Sequence, residues 1–487
     1  MRVERLPPVR VTLKPNDHPY MSGAWAPLHE EVNATDLDVI EGRIPADIDG
    51  IYVRNTENPL HDPLGRYHPF EGDGMLHRID FRGGRATYGN RWVRTRCFQA
   101  EQEAGHSLWG SGMDPASVSR RPGFGAHGHL KDATSTDVVV HAGKILSTFY
   151  QCGEAYRVDP VTLATEGVAE WAPLDGVSAH CKVDEATGEL LFFNYSVYEP
   201  YMHYGVVDRN NRRVHYIPVP LPGPRLPHDM VFTTNYSILN DCPLFWDPEL
   251  LKRDIHAVRF YRDLPTRFAI LPRYGRPEEI RWFEAEPTYV LHFLNAYEDG
   301  DEVVVDGYFQ EDPAPPPLAG APRQFAQAMA YLDQHSTLPK LHRWRFNLRT
   351  GRTSEQRLDD RVLEFGMFNA QYAGKPYRYV YSTTSVPGWF LFNGYVKHDL
   401  RTGESWQLSL PEGRYASESP FVPRVNAKDE DDGYLVSFIM DQNTGTGECI
   451  LVDCKRFMDG PVCRIALPHK PCSGTHSVWA PRRLLTG

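Results

Sequence analysis

Short runs of alternating apolar and polar residues, separated by Asp or Asn turns, recur along this chain. The stretches DVVVHAGKILSTFY, GELLFFNYSVY, DEVVVDGYFQ, PYRYVYSTTS and GYLVSFIMD are rich in Val, Ile, Tyr and Phe. That composition predicts strands of about 5–8 residues. Between them one turn repeats: Asp159-Pro160-Val161-Thr162, Asp184 to Gly188, Asn347 to Gly351, Asp399 to Gly403 and Asp441 to Gly445. An Asp or Asn side chain caps its own backbone two residues on, and Gly supplies the positive φ that closes a tight hairpin. Many short antiparallel strands on tight turns point to a sandwich, a barrel or a propeller, and over this length a propeller fits best. Seven blades of four strands would use about 70 residues each. The repeats are too irregularly spaced to set the blade number themselves. The expectation is an all-β chain forming a single domain over residues 1–487.

Two stretches interrupt the strand pattern. Asp247-Pro248-Glu249 predicts a helix with Asp as N-cap and Pro in its first turn, running on through Leu250, Leu251 and Ile255. The Pro-rich segment from Pro313 to Pro317 leads into Gln324–Leu332, which favours helix. Residues 243–265 and 313–340 are therefore read as insertions between blades, placed to cap one end of the propeller.

With 41% apolar and 24% charged residues among 487, the chain can bury a large core. Its net charge of −11 speaks against a phosphate-backbone partner, so no nucleic acid is expected. The eight cysteines show no Cys-x-x-Cys pair and no framework spacing, which fits reduced thiols. The start, MRVERLPPVRVTLKPNDHPY, lacks the apolar core of a signal peptide, and no apolar run reaches about 18 residues. A soluble, cytoplasmic protein is expected.

Of 20 histidines, nine lie in polar or turn-rich contexts that predict surface imidazoles: His18, His29, His61, His106, His127, His129, His256, His335 and His398. Four have more structured surroundings: SAHCKVD at His180, PHDMVFTTNY at His228, LHFLNAYEDGD at His292 and SGTHSVWAP at His476. Their separation excludes a local zinc motif. In a propeller, however, residues at the starts of inner strands converge on the axis, so one His from each of four blades would face a single ion. Imidazole suits zinc, copper, iron and nickel alike. Four imidazoles in an octahedral frame leave two positions open for oxygen and substrate, which favours iron(II).

The order of these segments resembles the carotenoid cleavage oxygenases, a group that includes apocarotenoid- and stilbene-cleaving dioxygenases. The likeness runs through GIYVRNTENP, HPFEGDGMLHRIDF, STDVVVHAGK, SAHCKVDEATGELLFF, HDMVFTTNY, HFLNAYEDGD, PYRYVYSTTS, ESPFVPRVNAKDEDDGYLVSF and GTHSVWAP. The resemblance implies a seven-bladed β-propeller with a helical and loop cap over its iron-bearing face. It implies Fe(2+) held by His180, His228, His292 and His476, with Glu364 and Glu418 accepting hydrogen bonds from ligand rings. A carboxylate in that role fixes the imidazole tautomer and strengthens the ligand. Thr136 matches a position beside an open iron site. A third family glutamate is missing after the HAGK strand, where this chain has Tyr150 or Gln151, with Glu154 a few residues on. The lysine with which stilbene-cleaving relatives engage a phenol is also absent, leaving Tyr150 to meet a phenolic oxygen.

The resulting reading is an iron(II) dioxygenase that uses O2 to split a conjugated C=C bond into two carbonyl products. The substrate would be an apolar conjugated small molecule, either an aryl alkene or a carotenoid or apocarotenoid. The segment CPLFWDPELLKRDIHAVRFYRDL mixes Phe245, Trp246, Leu250 and Leu251 with charges, which is only slight support for membrane contact. The rival reading is a non-catalytic β-propeller for protein interaction, its histidines serving structure.

Overall fold

The computed structural model describes residues 1–123, 130–253, 255 and 257–485; His127, His129 and His256 lie outside them. Among the described residues, seven antiparallel sheets of four to six strands are the blades of the expected all-β, seven-bladed propeller. The chain divides into two compact units, Met1–Ala179 with Leu408–Gly487, and His180–Gln407.

In the first unit, the amino- and carboxy-terminal parts of the chain share sheets. Gly50–Glu57 is paired on one side with Gly74–Arg82 and on the other with Gly474–Pro481. A second shared sheet adds Val39–Gly42 to the edge of Pro461–Ala466. The remaining blade is the four-stranded meander Asp137–His141, Lys144–Thr148, Tyr156–Val158 and Thr165–Val168. Backbone pairing along these joins ties the two ends of the chain together without a disulfide. All eight cysteines are reduced and buried.

The second unit carries four successive four-stranded blades. Their first strands are Lys182–Asp184, Val231–Phe232, Val290–Asp299 and Glu364–Met367. Aromatic rings fill the space between neighbouring sheets: Phe268 lies 5.5 Å from Trp344 and 4.9 Å from Phe346, and 6.0 Å from Phe293. Each such side chain contributes about 1.5–3 kcal/mol on burial, so this layer is a large part of what holds adjacent blades.

The repeated turn closes hairpins as expected. Asp159, Asn347, Asp399 and Asp441 each accept from the backbone N–H groups two and three residues on, and Asp184 accepts from Ala186. Gly188, Gly351, Gly403 and Gly445 all have φ between 71° and 76°, where any side chain is strained.

The interruptions hold helices, though shorter ones than the sequence suggests. Asp247 caps Pro248–Leu251 by accepting from Glu249 and Leu250 N–H, with Pro248 in the first turn. The helix stops at Leu251 rather than reaching Ile255. Val258–Phe260 must return to pair with Leu244–Trp246, and the N–H of Ile255 turns back onto the Leu250 carbonyl. Phe245 and Trp246 are buried, Phe245 stacking on Tyr261 at 4.3 Å. Ala326–Leu332 and Gln334–Thr337 are the helices of the second interruption. A helix that the strand pattern hid, Arg96–Ala104, is capped by the Thr95 hydroxyl and ended by Gly105 at φ 73°. Among the described residues no helix is long and apolar enough to cross a membrane.

Two histidines expected at the surface are buried. His61 shares a hydrogen bond with Thr12, and His398 pairs with Asp359 at 2.7 Å. A bonded imidazole loses little on burial, which is why polar sequence context misplaced both. His29, His106 and His335 are exposed, and His18 is half-buried.

Candidate metal centre

In the second unit, three of the four singled-out histidines come together. His180 lies two residues before the first strand of its blade, His228 lies just before the next blade's first strand, and His292 is near the start of the third. Their ring centroids are 4.7 Å apart for His180 and His228, 5.1 Å for His180 and His292, and 5.3 Å for His228 and His292. The Nε2 atoms of His180 and His228 face each other across 3.1 Å. Equivalent positions on successive blades produce this cluster, with 48 and 64 residues of intervening chain doing no more than building sheets.

Glu364 opens the first strand of the fourth blade, the same structural position again. His292 donates from Nδ1 to Glu364 Oε2 at 2.6 Å, which leaves its Nε2 as the basic nitrogen. The same carboxylate oxygen accepts from the N–H of Phe365 at 2.7 Å. Phe365 itself is left-handed, at φ 48°, and the strand register shifts between Glu364 and Met367. Neighbouring Gly366 has no room for a side chain, since a Cβ would meet the Tyr308 hydroxyl and Leu294. Strain of this kind, about 1–3 kcal/mol, persists where surrounding packing over-determines it, and here it turns a carboxylate inward. Glu364 is fully buried.

A further residue ties the three histidines' neighbours together, and sequence reading passed over it. Asp229, directly after His228, holds Lys182 at 2.7 Å and accepts from the N–H of Phe293 at 2.8 Å. Lys182 is two residues beyond His180 and Phe293 follows His292, so one buried carboxylate bonds the side chain of a residue near one ring and the backbone beside another. An acid immediately following a histidine was its only sequence signal.

In the first unit, His476 is buried in the strand Gly474–Pro481 and shares a 3.1 Å hydrogen bond from Nδ1 to Glu418. Glu418 also accepts from Ser477 N–H at 2.6 Å. This repeats the arrangement of His292 and Glu364. Thr136 is buried alongside: its carbonyl accepts from the Thr475 hydroxyl at 2.7 Å, and its own hydroxyl accepts from Tyr150 N–H at 3.2 Å.

Tyr150 turns its hydroxyl to Glu71, at 3.3 Å, and its ring packs with Phe149, His68 and Phe70. Glu71 also accepts from Gly112 N–H, and burial raises its carboxyl from the usual range to about 7. Burial lowers His68 to about 4, so that ring is neutral at physiological pH. Glu154 is committed elsewhere: its carboxylate takes the Arg96 guanidinium and the Tyr156 hydroxyl at 2.6 Å.

The donor set suits a borderline transition-metal ion. Imidazole nitrogens fixed in the neutral tautomer by carboxylates are ligands of iron, zinc or copper, whereas calcium and magnesium want oxygen.

The family model described as retinal pigment epithelial membrane protein matches residues 25–481. The carotenoid 9,10(9',10')-cleavage dioxygenase 1 of Pisum sativum is 32% identical, over 95% of this chain and 90% of its own. The chain belongs to the carotenoid cleavage oxygenase family. It is accordingly an oxygenase of the type that acts on single donors with incorporation of O2. The isoeugenol monooxygenase of Pseudomonas nitroreducens is 29% identical, over 96% of this chain and 99% of its own. Among solved structures, the lignostilbene dioxygenase of Pseudomonas brassicacearum superposes with a TM-score of 0.83 at 26% identity, covering 96% of this chain and all of that one.

Proposed function

We propose that this protein is an iron(II) dioxygenase that cleaves a conjugated C=C bond of an aryl alkene, apocarotenoid or carotenoid with O2. The observation that carries the reading is the convergence of His180, His228 and His292 on equivalent blade positions, with Glu364 fixing one ring. His476, buried and held by Glu418 in the same way, is the fourth ligand. Bound iron supplies oxygen activation. The net reaction adds both atoms of O2 across one C=C bond and yields two carbonyl products, with no proton or external electron required.

The chain's own residues prepare that chemistry. Glu364 and Glu418 hold the Nδ1 protons of His292 and His476, so each ring offers Nε2 as a neutral donor. Thr136, its carbonyl held by the Thr475 hydroxyl and its hydroxyl by the Tyr150 N–H, would use its methyl and hydroxyl to narrow access to the bound metal. The insertions at 243–265 and 313–340 enclose an apolar substrate. The names of the Pisum sativum and Pseudomonas nitroreducens relatives support a conjugated alkene without choosing between a polyene and a propenyl phenol.

The deciding experiment is aerobic incubation of iron-loaded protein with carotenoids, apocarotenoids, stilbenes and propenyl phenols, scoring aldehydes and their oxygen-18 content from labelled O2. Label in both carbonyls of one substrate is the expected result. Absence of carbonyl product from the whole panel, with iron bound, would leave the non-catalytic interaction module as the better reading.

A further inference from the structure

Arg54, in the strand Gly50–Glu57 of the first unit, is a fully buried cation that the chemistry proposed above does not use. Its Nη1 donates to the Ser417 hydroxyl at 2.9 Å and its Nη2 to the Cys472 carbonyl at 2.8 Å. Both acceptors are uncharged. The guanidinium also lies 5.3 Å over the Phe438 ring. Two titratable neighbours are neutral as well: burial holds the Glu57 carboxyl well above the usual carboxylate range, and burial, then Arg54 itself, holds His77 well below that of imidazole. Taking a guanidinium out of water without pairing it to a carboxylate is unfavourable, so a fold that keeps one gains from where it holds its acceptors.

Those acceptors flank His476 and its carboxylate. Ser417 directly precedes Glu418, which bonds the His476 ring and the N–H of Ser477. Cys472 lies two residues before the strand Gly474–Pro481, which carries His476. Regular pairing does not hold that ring. Gly474 pairs with Thr56 and Ser477 with Arg54, so Thr475 and His476 between them stand opposite Asn55 alone. One extra residue in a strand bends it and re-aims its side chains, and His476 lies within this bulge. Arg54 packs against the bulge directly: a Cβ at Gly474 would meet Arg54 Nε at 3.0 Å and the Asn55 carbonyl at 2.5 Å. Only glycine leaves room there for the arginine.

We propose that Arg54 is a positioning residue of the metal centre, a clamp that ties the bulge bearing His476 to the loop bearing Glu418 and so sets ring and carboxylate at bonding distance. A planar fork of diverging N–H groups suits this task, whereas an ammonium is a single point of charge and cannot span both acceptors. The inference deepens the iron reading above and rests on His476 as a ligand.

The test is a double-mutant cycle read as iron(II) affinity, measured without oxygen by competition with a coloured chelator. Arg54→Met fills much of the same space and buries no charge, so the fold should survive it, as circular dichroism and urea unfolding of the metal-free protein can check. Its affinity for iron(II) should fall about tenfold, and that of Arg54→Lys by a similar factor, because charge without the fork does not restore the clamp. In a Glu418→Gln background Arg54→Met should add less than about twofold, since the carboxylate it positions is already impaired. In Glu364→Gln, whose carboxylate serves His292, the full tenfold loss should remain. A residue that merely stabilised its blade would lower affinity equally in both backgrounds. Ser417→Ala removes one acceptor and leaves Arg54 in place; it should act in the same direction, and it is run through the same cycle should Arg54→Met fail to fold. Unchanged affinity in the folded variants, or an equal loss in both backgrounds, would overturn the proposal. His476→Ala, measured alongside, separates the two possible failures. Iron held as tightly without His476 removes the ligand and the proposal with it, whereas a loss there beside unchanged affinity in Arg54→Met removes the proposal alone.

Discussion

His292 donates its Nδ1 proton to Glu364 across 2.6 Å, and the two residues begin the inner strands of consecutive blades. The bond therefore joins a ring and a carboxylate that the propeller repeat would place side by side in any sequence. What is particular here is the left-handed Phe365, which lets its own N–H bind the same oxygen. Glu364 Oε2 thus accepts two donors at once, and a carboxylate does this better than any neutral side chain.

Glu364→Gln should accordingly keep the fold and impair the metal. The amide oxygen carries no charge and is the weaker acceptor for two donors, and the amide brings N–H groups of its own into a fully buried spot. Iron retained after dialysis, or turnover of a cleaved alkene, should fall by about 10–100-fold, while the melting temperature moves by only a few degrees. Iron affinity and rate equal to wild type would remove Glu364 from the site.

Asp229→Asn should show what holds the three histidines in place. The change leaves Lys182 without its ion-pair partner and weakens the bond to Phe293 N–H. Loss of such a buried charge-assisted pair costs about 1–3 kcal/mol, readable in urea unfolding. Because Asp229 adjoins His228 and its two partners lie within two residues of His180 and His292, iron content should fall as well. A destabilised variant with full iron would make Asp229 purely structural.

The hairpin framework was legible because it is local: an Asp or Asn side chain and a Gly two to four residues on decide the turn at Asn347 and Asp441 without reference to the rest of the chain. The pairing of Gly474–Pro481 with Gly50–Glu57 was not, since nothing local at either strand encodes a partner more than 400 residues away. The four histidines proposed as ligands stood out by their structured surroundings and their segments' family likeness; taken alone, the polar surroundings of His61 or His398 and the apolar ones of His292 gave opposite hints about rings that are all buried. Tyr150 was singled out, yet its bond to Glu71 joins loops of two different sheets, and Asp229 acts only through the convergence of three blades. Helix Arg96–Ala104 did leave local marks, Thr95 as cap and Gly105 as stop, which the search for strand periodicity passed over.

The buried carboxyl of Glu71 predicts a pH dependence of stability with a definite sign. Burial raises it from 4.5 to about 7 in the folded protein, so the folded state keeps a proton that the unfolded chain releases. Its contribution to stability is complete below about pH 4.5, is lost as pH rises toward 7, and is constant above that. Glu71→Gln has no proton to lose. The melting temperature of the variant minus that of wild type should rise by several degrees between pH 4.5 and 7 and then level off. A flat difference across that range would mean that Glu71 ionises as freely inside the protein as in water.

Replacing His228 and His476 separately by alanine tests the metal centre from each of the two units. If His180, His228, His292 and His476 bind one ion, wild type should contain about one iron per chain, and each variant should lose most of it, because the remaining imidazoles cannot complete the coordination that four supply. The variants should remain folded, since neither ring fills a blade core: His228 is half-buried, and His476 is held by polar bonds to Glu418 rather than by apolar packing. Far-ultraviolet circular dichroism can confirm this. Iron lost from His228→Ala but retained by His476→Ala would confine the metal to the second unit. Full occupancy in both would make these imidazoles structural, and with them Glu364 and Glu418 would become ordinary buried hydrogen-bond acceptors of a propeller that binds rather than oxidises.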